Sequence, residues 1–108
     1  MALPTGPVRQ QIAARFALLG DPTRLHLLSL LLERSDYSVG ELAAAAGVSG
    51  ANASQHLRRL EAGGILGRRR TGNTVQYRVV EASIEQLCAI VCASVRERAR
   101  VLVPADID

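Results

Sequence analysis

Hydrophobic positions along the chain follow two periods, and the places where one gives way to the other mark its elements. Val8, Ile12, Phe16 and Leu19 recur at helical spacing and predict a helix over 8–19, closed by Gly20. Asp21-Pro22 restarts the chain with an acceptor side chain and a proline suited to the first helical position. The leucine-rich run that follows predicts a core helix over 23–34. Ser38 and Glu41 have capping-box spacing ahead of a short, alanine-rich helix over 41–46, which Gly47 ends. Ser49 caps a further helix over 50–62, with Val48 and Ala53 at hydrophobic-staple positions. Only Gly47 to Ser49 separate these helices, so the pair reads as a helix-turn-helix.

Beyond Gly63-Gly64 the period falls to two residues. Val75, Tyr77 and Val79 alternate with Gln76 and Arg78 and predict a strand; 65–70 is its partner, and Thr71-Gly72-Asn73-Thr74 supplies the turn. Ser83 and Gln86 repeat the capping-box spacing before a last helix running to about Val101, with Ile84, Leu87, Cys88, Val91, Val95 and Leu102 on one stripe. The expected fold is mainly α with a small β-hairpin: a winged helix-turn-helix with additional N- and C-terminal dimerisation helices. Residues 1–7 form a flexible N-terminal arm, 8–103 the domain and 104–108 a C-terminal tail. In a chain of 108 residues the second helix and the helix-turn-helix already account for the core. The apolar stripes of the terminal helices are then left over, which predicts a homodimer.

Charge sharpens this picture. The formal net charge is only +3, but all thirteen basic residues are arginine, and Arg58, Arg59, Arg68, Arg69 and Arg70 are opposed locally only by Glu61. Such a patch suits a polyanion. No apolar run is long enough to span a bilayer, and MALPTGPVRQ lacks the apolar core of a signal peptide, so a cytoplasmic protein is expected. Cys88 and Cys92, one helical turn apart, have Cβ atoms about 5–6 Å apart, too far for a disulfide within the chain, and are expected as free thiols. No nucleophile lies beside a base, no glycine motif cradles phosphate and no histidines cluster, so an enzyme is not expected.

The segments ALGDPTRLHLLSLLL, VGELAAAAGVSGANASQHLRRLEAGGIL and RRRTGNTVQYRV, in that order, resemble the ArsR/SmtB family of dimeric winged-helix repressors. The resemblance implies a homodimer that occupies double-stranded operator DNA and leaves it when a metal ion or, for some members, a thiol oxidant acts. On a recognition helix of that kind Ser49, Ala51, Asn52 and Gln55 are candidates for base or nearby backbone contacts, and Arg58 and Arg59 for phosphate clamps. Arg69, Arg70 and Asn73 belong to the wing and reach flanking backbone or minor groove. His56, at the border of the core stripe, suits a structural hydrogen bond or a phosphate contact better than base reading.

The family's metal patterns are incomplete in this chain. Where a Cys-Val-Cys soft-metal motif is expected, the sequence has Ser38-Val39-Gly40. Where other members place acids and histidines at the two ends of the last helix, it has Glu81, Ser83, Ser94 and Glu97, carboxylates without imidazoles. Cys88 and Cys92 remain as ligands for a thiophilic ion or as a redox pair near the dimer seam, set against simple packing. Glu81, Glu97 and His26 form the alternative metal set, and nickel, zinc, cadmium and arsenite are not distinguished. The competing function is a winged-helix protein without its own inducer that acts through a co-regulator protein.

Overall fold

The computed structural model describes residues 2–102, Leu102 by its backbone alone. The expected tail over 104–108 and the last domain residue lie outside the described residues. The elements are α1 (Pro7–Leu19), α2 (Pro22–Glu33), α3 (Val39–Ala46), α4 (Gly50–Ala62), β1 (Leu66–Thr71), β2 (Thr74–Val79) and α5 (Ser83–Leu102). The order is the expected one, and the element boundaries move by a residue or two for local reasons. α1 begins at Pro7 rather than Val8, because Gly6 at φ 67° turns the chain and proline fits the first helical position.

The Ser38 box forms in both directions: Ser38 Oγ accepts from the Glu41 N–H at 3.1 Å, and the Ser38 N–H donates to Glu41 Oε1 at 2.8 Å. These bonds make Glu41 the third residue of the helix, which therefore starts at Val39. The bond from the Ser38 backbone also holds the Glu41 carboxyl below its ordinary range. The corresponding expectation at Ser83 is corrected. Ser83 is already helical, and its N–H donates to Glu81 Oε2 at 2.9 Å, so the Glu81 carboxylate caps α5 in place of a Ser83–Gln86 box.

One apolar core takes buried residues from every element except α1, whose Leu18 and Leu19 pack against it half-buried. Leu27, Leu28 and Leu31 of α2 meet Leu42 of α3, Leu57 and Leu60 of α4, Ile65, Leu66, Tyr77 and Ile84. The β1–β2 hairpin is antiparallel, with Leu66 opposite Val79 and Thr71 opposite Thr74. Its two-residue loop has Gly72 at φ 62° followed by Asn73 at negative φ, the pattern of a type II′ turn. A bridge between Ser38 and Gln76 ties the start of α3 to β2. Gln76 Nε2 also donates to the Asp36 carbonyl at 3.1 Å, so the wing is anchored beside the helix-turn-helix.

α1 buries none of its residues. Phe16 remains 55% exposed, and Val91 and Val95 on α5 are 50% and 61% exposed, which is unusual for large apolar side chains aligned on adjoining helices. Between these helices lies an open apolar groove of about 590 Å³, lined by Phe16, Leu19, Leu25, Cys88, Val91 and Val95 among others.

Candidate nucleic-acid interface

The turn between α3 and α4 is set by Gly47 at φ 71°, whose N–H reaches the Ala43 and Ala44 carbonyls. Ser49 then accepts from the Asn52 N–H at 3.0 Å. Its oxygen is therefore committed to capping, while its hydroxyl hydrogen remains available to an outside acceptor. Ala53, Leu57 and Leu60 anchor α4 in the core. Opposite them, Ala51, Gln55 and Arg58 recur at i, i+4 and i+7, flanked by Asn52 and Arg59, and all five are exposed. Ala51 offers only a methyl group, suited to apolar contact.

The wing divides its arginines in a way that the run Arg68-Arg69-Arg70 conceals. Arg68 and Arg70 pair across the ladder with Tyr77 and Val75, whereas Arg69 pairs with Gln76. Successive residues of a strand point to opposite faces, so Arg69 lies with Gln76 and Arg78 on one face, and Arg68 and Arg70 on the other. Arg68 is drawn back to α4, its Nε 3.7 Å from Glu61 Oε2. Arg69, Arg70 and the loop residue Asn73 are exposed.

His56 is half-buried, and its Nδ1 lies 3.2 Å from Arg24 Nη1. A guanidinium only donates, so Nδ1 accepts and the ring hydrogen belongs on Nε2. The partner of His56, Arg24, is not among the residues that the sequence singles out: it is 9% exposed, the one charged side chain buried among the described residues. Its position was legible, because Arg24 shares a helical stripe with Leu27, Leu28 and Leu31 at i, i+3, i+4 and i+7.

The candidate metal residues are less well assembled. Cys88 is half-buried and Cys92 exposed, both free. Burial, and to a lesser degree Cys92, raises the Cys88 thiol above its ordinary pKa, which disfavours the thiolate. Besides capping Ser83, Glu81 lies 3.9 Å from Arg15 Nη1, and the backbone bond first of all keeps its carboxyl low. Glu97 pairs with Arg100 at 2.8 Å. Some sixteen residues separate Glu81 from Glu97, roughly 24 Å along a helix, and His26 stands exposed on α2. Among the described residues no three His, Cys, Asp or Glu side chains come together as a metal site.

A helix-turn-helix with an acid-free outward face, anchored beside a basic two-stranded wing, defines a winged-helix DNA-binding protein. A family model described as bacterial regulatory protein, arsR family, matches residues 21–66. The HTH-type transcriptional regulator Rv0081 of Mycobacterium tuberculosis is 38% identical over 85 residues, spanning 78% of this chain and 74% of that protein. Its crystal structure covers 91% of this chain and 95% of its own at 35% identity, with a TM-score of 0.77. The homodimeric winged helix-turn-helix DNA-binding domain of Mb0332 from Mycobacterium bovis gives a TM-score of 0.80 at 28% identity, covering 93% of this chain and 94% of that one. The antimony-specific transcriptional repressor AntR gives 0.80 at 29% identity, covering 93% and 90%. The chain belongs to the ArsR family of bacterial transcriptional regulators, which are DNA-binding proteins and not enzymes.

Proposed function

We propose that this protein is a homodimeric transcriptional repressor, working in the cytoplasm, that places α4 of each protomer in successive major grooves of its operator. The outward stripe of Ala51, Gln55 and Arg58 on a helix anchored by Leu57 and Leu60 carries this reading. Gln55 and Asn52 offer amide groups suited to adenine edges, while Arg58, Arg59, Arg69 and Arg70 neutralise phosphate. Ser49 and His56 add donors at the rim of the same face, and Asn73 at the wing tip reaches backbone or minor groove. The apolar groove between α1, α2 and α5 supports the dimer, since a second copy would cover Phe16, Val91 and Val95. A two-fold axis then sets the half-sites about 34 Å apart.

The test is the binding of purified protein to DNA of its own promoter, followed by anisotropy over a range of salt concentrations. Affinity falls steeply as salt rises, and Arg69→Ala and Arg70→Ala each lower the salt slope by about one unit without changing base preference. Affinity insensitive to salt would favour the reading in which the fold acts through a co-regulator protein.

The input we assign is the thiol pair, because Cys88 and Cys92 line the groove where the protomers meet. One chain supplies only two thiols there, half a tetrahedral soft-metal set, so a four-coordinate ion would draw on the thiols of both protomers. A thiophilic species such as arsenite or cadmium, or an oxidant, suits the pair. Cys88→Ser/Cys92→Ser is expected to keep DNA affinity while abolishing release by arsenite, cadmium and mild oxidant. Release that survives in this variant rules out the thiol input, and release of the unaltered protein by nickel or zinc alone moves the input to Glu81, Glu97 and His26.

A further inference from the structure

The Arg24 guanidinium touches three helices. It projects from the first turn of α2, its Nε donates to the Leu18 carbonyl at 2.8 Å and its Nη2 to the Ala17 carbonyl at 3.4 Å, both at the end of α1. Its Nη1 donates to His56 Nδ1 on α4 at 3.2 Å. The backbone of the same residue is fixed by its N–H bond to Asp21 Oδ2 at 2.9 Å. The cation thus satisfies the Leu18 carbonyl at the end of α1 and adds a second donor to the Ala17 carbonyl, which already accepts from the Gly20 N–H at 3.2 Å, on the side where a helix end favours positive charge. No buried side-chain nitrogen or oxygen among the described residues lacks a partner, so the node is complete. A second contact joins the same two helices, since Gly63 at the end of α4 lies so close under Leu18 that a Cβ there would overlap Leu18 Cδ1.

The position of this node on α1 matters as much as its bonds. Phe16, Leu19 and Gly20, which flank the two acceptor carbonyls in sequence, line the apolar groove together with Cys88 and Cys92. Anything that moves the end of α1 at that groove therefore moves the acceptors of Arg24, and Arg24 passes the displacement to His56. His56 precedes Leu57 and follows Gln55, so a tilt at this point changes how deeply the outward stripe enters a groove.

We propose that Arg24 is a positioning residue for DNA reading: through His56 it fixes the angle of α4 against the end of α1, and it links the α1–α5 groove to the recognition helix. The inference rests on α4 being the DNA-reading helix. A small misplacement of α4 costs base contacts, which need close geometry, more than it costs phosphate contacts made by long arginine side chains.

The experiment compares binding to a duplex selected by the wild-type protein from a random-sequence library with binding to a scrambled duplex of the same length. Arg24→Met and His56→Leu are each expected to lower the selected-to-scrambled affinity ratio about tenfold, as loss of a hydrogen bond to a charged donor implies. The double variant is expected to lose no more than either single one, since both remove the same link. His56→Asn, which keeps an acceptor near the Nδ1 position, is expected to restore the ratio, while its affinity for both duplexes falls together because the Nε2 donor at the rim is lost. If Arg24→Met does not fold, the contrast of His56→Leu with His56→Asn at the half-buried end of the bond decides the matter. An unchanged ratio in folded His56→Leu, or equal losses on both duplexes, overturns the inference alone. A wild-type protein that selects no duplex overturns the DNA-reading assignment, and this inference with it.

Discussion

Val91→Glu is expected to convert the protein into a folded monomer whose operator affinity is lower by at least about a hundredfold, the advantage that two linked binding modules hold over one. Val91 is half exposed in the single chain and lines the apolar groove beside Leu87, Cys88 and Val95, so the protomer itself tolerates a carboxylate there. A dimer that closes this groove would have to bury that carboxylate without a partner, at a cost of several kcal/mol. The two-fold axis enters the charge twice. Sedimentation equilibrium and anisotropy on the operator, run at the same protein concentration, check both halves of the expectation. A dimer that persists with unchanged affinity would place the interface elsewhere. A monomer that retains full affinity would show that one recognition helix and one wing are sufficient.

Much of this architecture is carried by short-range chemistry that a sequence displays. Asp21 before Pro22, Ser38 with Glu41, Gly47 and Ser49 each act within one helical turn, and all of them cap or close helices as their residue types imply. The outward stripe on α4 follows in the same way from the core positions Ala53, Leu57 and Leu60, because a single helical period relates the two faces. What a sequence does not display has a different origin. Ser83 has the residue type and spacing of a cap, but Glu81 lies two residues upstream and its longer side chain accepts from the Ser83 N–H, which draws Ser83 into the helix. Within the basic patch, which strand parity does not overturn, Arg69 lies on the face opposite Arg68 and Arg70, a division that follows only once the register set by the Gly72-Asn73 loop is placed.

Arg24 is the instructive case. An arginine on a leucine stripe is read by habit as a surface cation, because burying it is unfavourable unless its donors find partners. Those partners are backbone carbonyls of α1 and a ring nitrogen of α4, and no sequence pattern announces that they converge. The metal question has the same form. Cys88 and Cys92 are neighbours on one helix, but whether they have company depends on a second chain.

Leu57→Ala and Gln55→Ala, two positions apart on α4, are expected to give opposite results, and the pair separates what holds the recognition helix from what it reads. Leu57 has no exposed surface and sits in the cluster formed by α2, α3 and the hairpin. Removing its side chain leaves a cavity and costs about 2–5 kcal/mol, a large share of the roughly 5–15 kcal/mol typical of a small domain. At fixed protein concentration its melting temperature is expected to fall by roughly 10–25 °C. Gln55 is exposed on the face of α4 opposite the core positions, so its truncation is expected to shift stability by no more than about 0.5 kcal/mol. The loss appears instead as relaxed base preference at one operator position, about 1–3 kcal/mol of discrimination, with little change in the salt slope. Thermal melts and binding to operators varied one base pair at a time measure both. If Gln55→Ala weakens every sequence equally, Gln55 is a backbone contact, and base reading passes to Asn52 and Arg58 on either side of it.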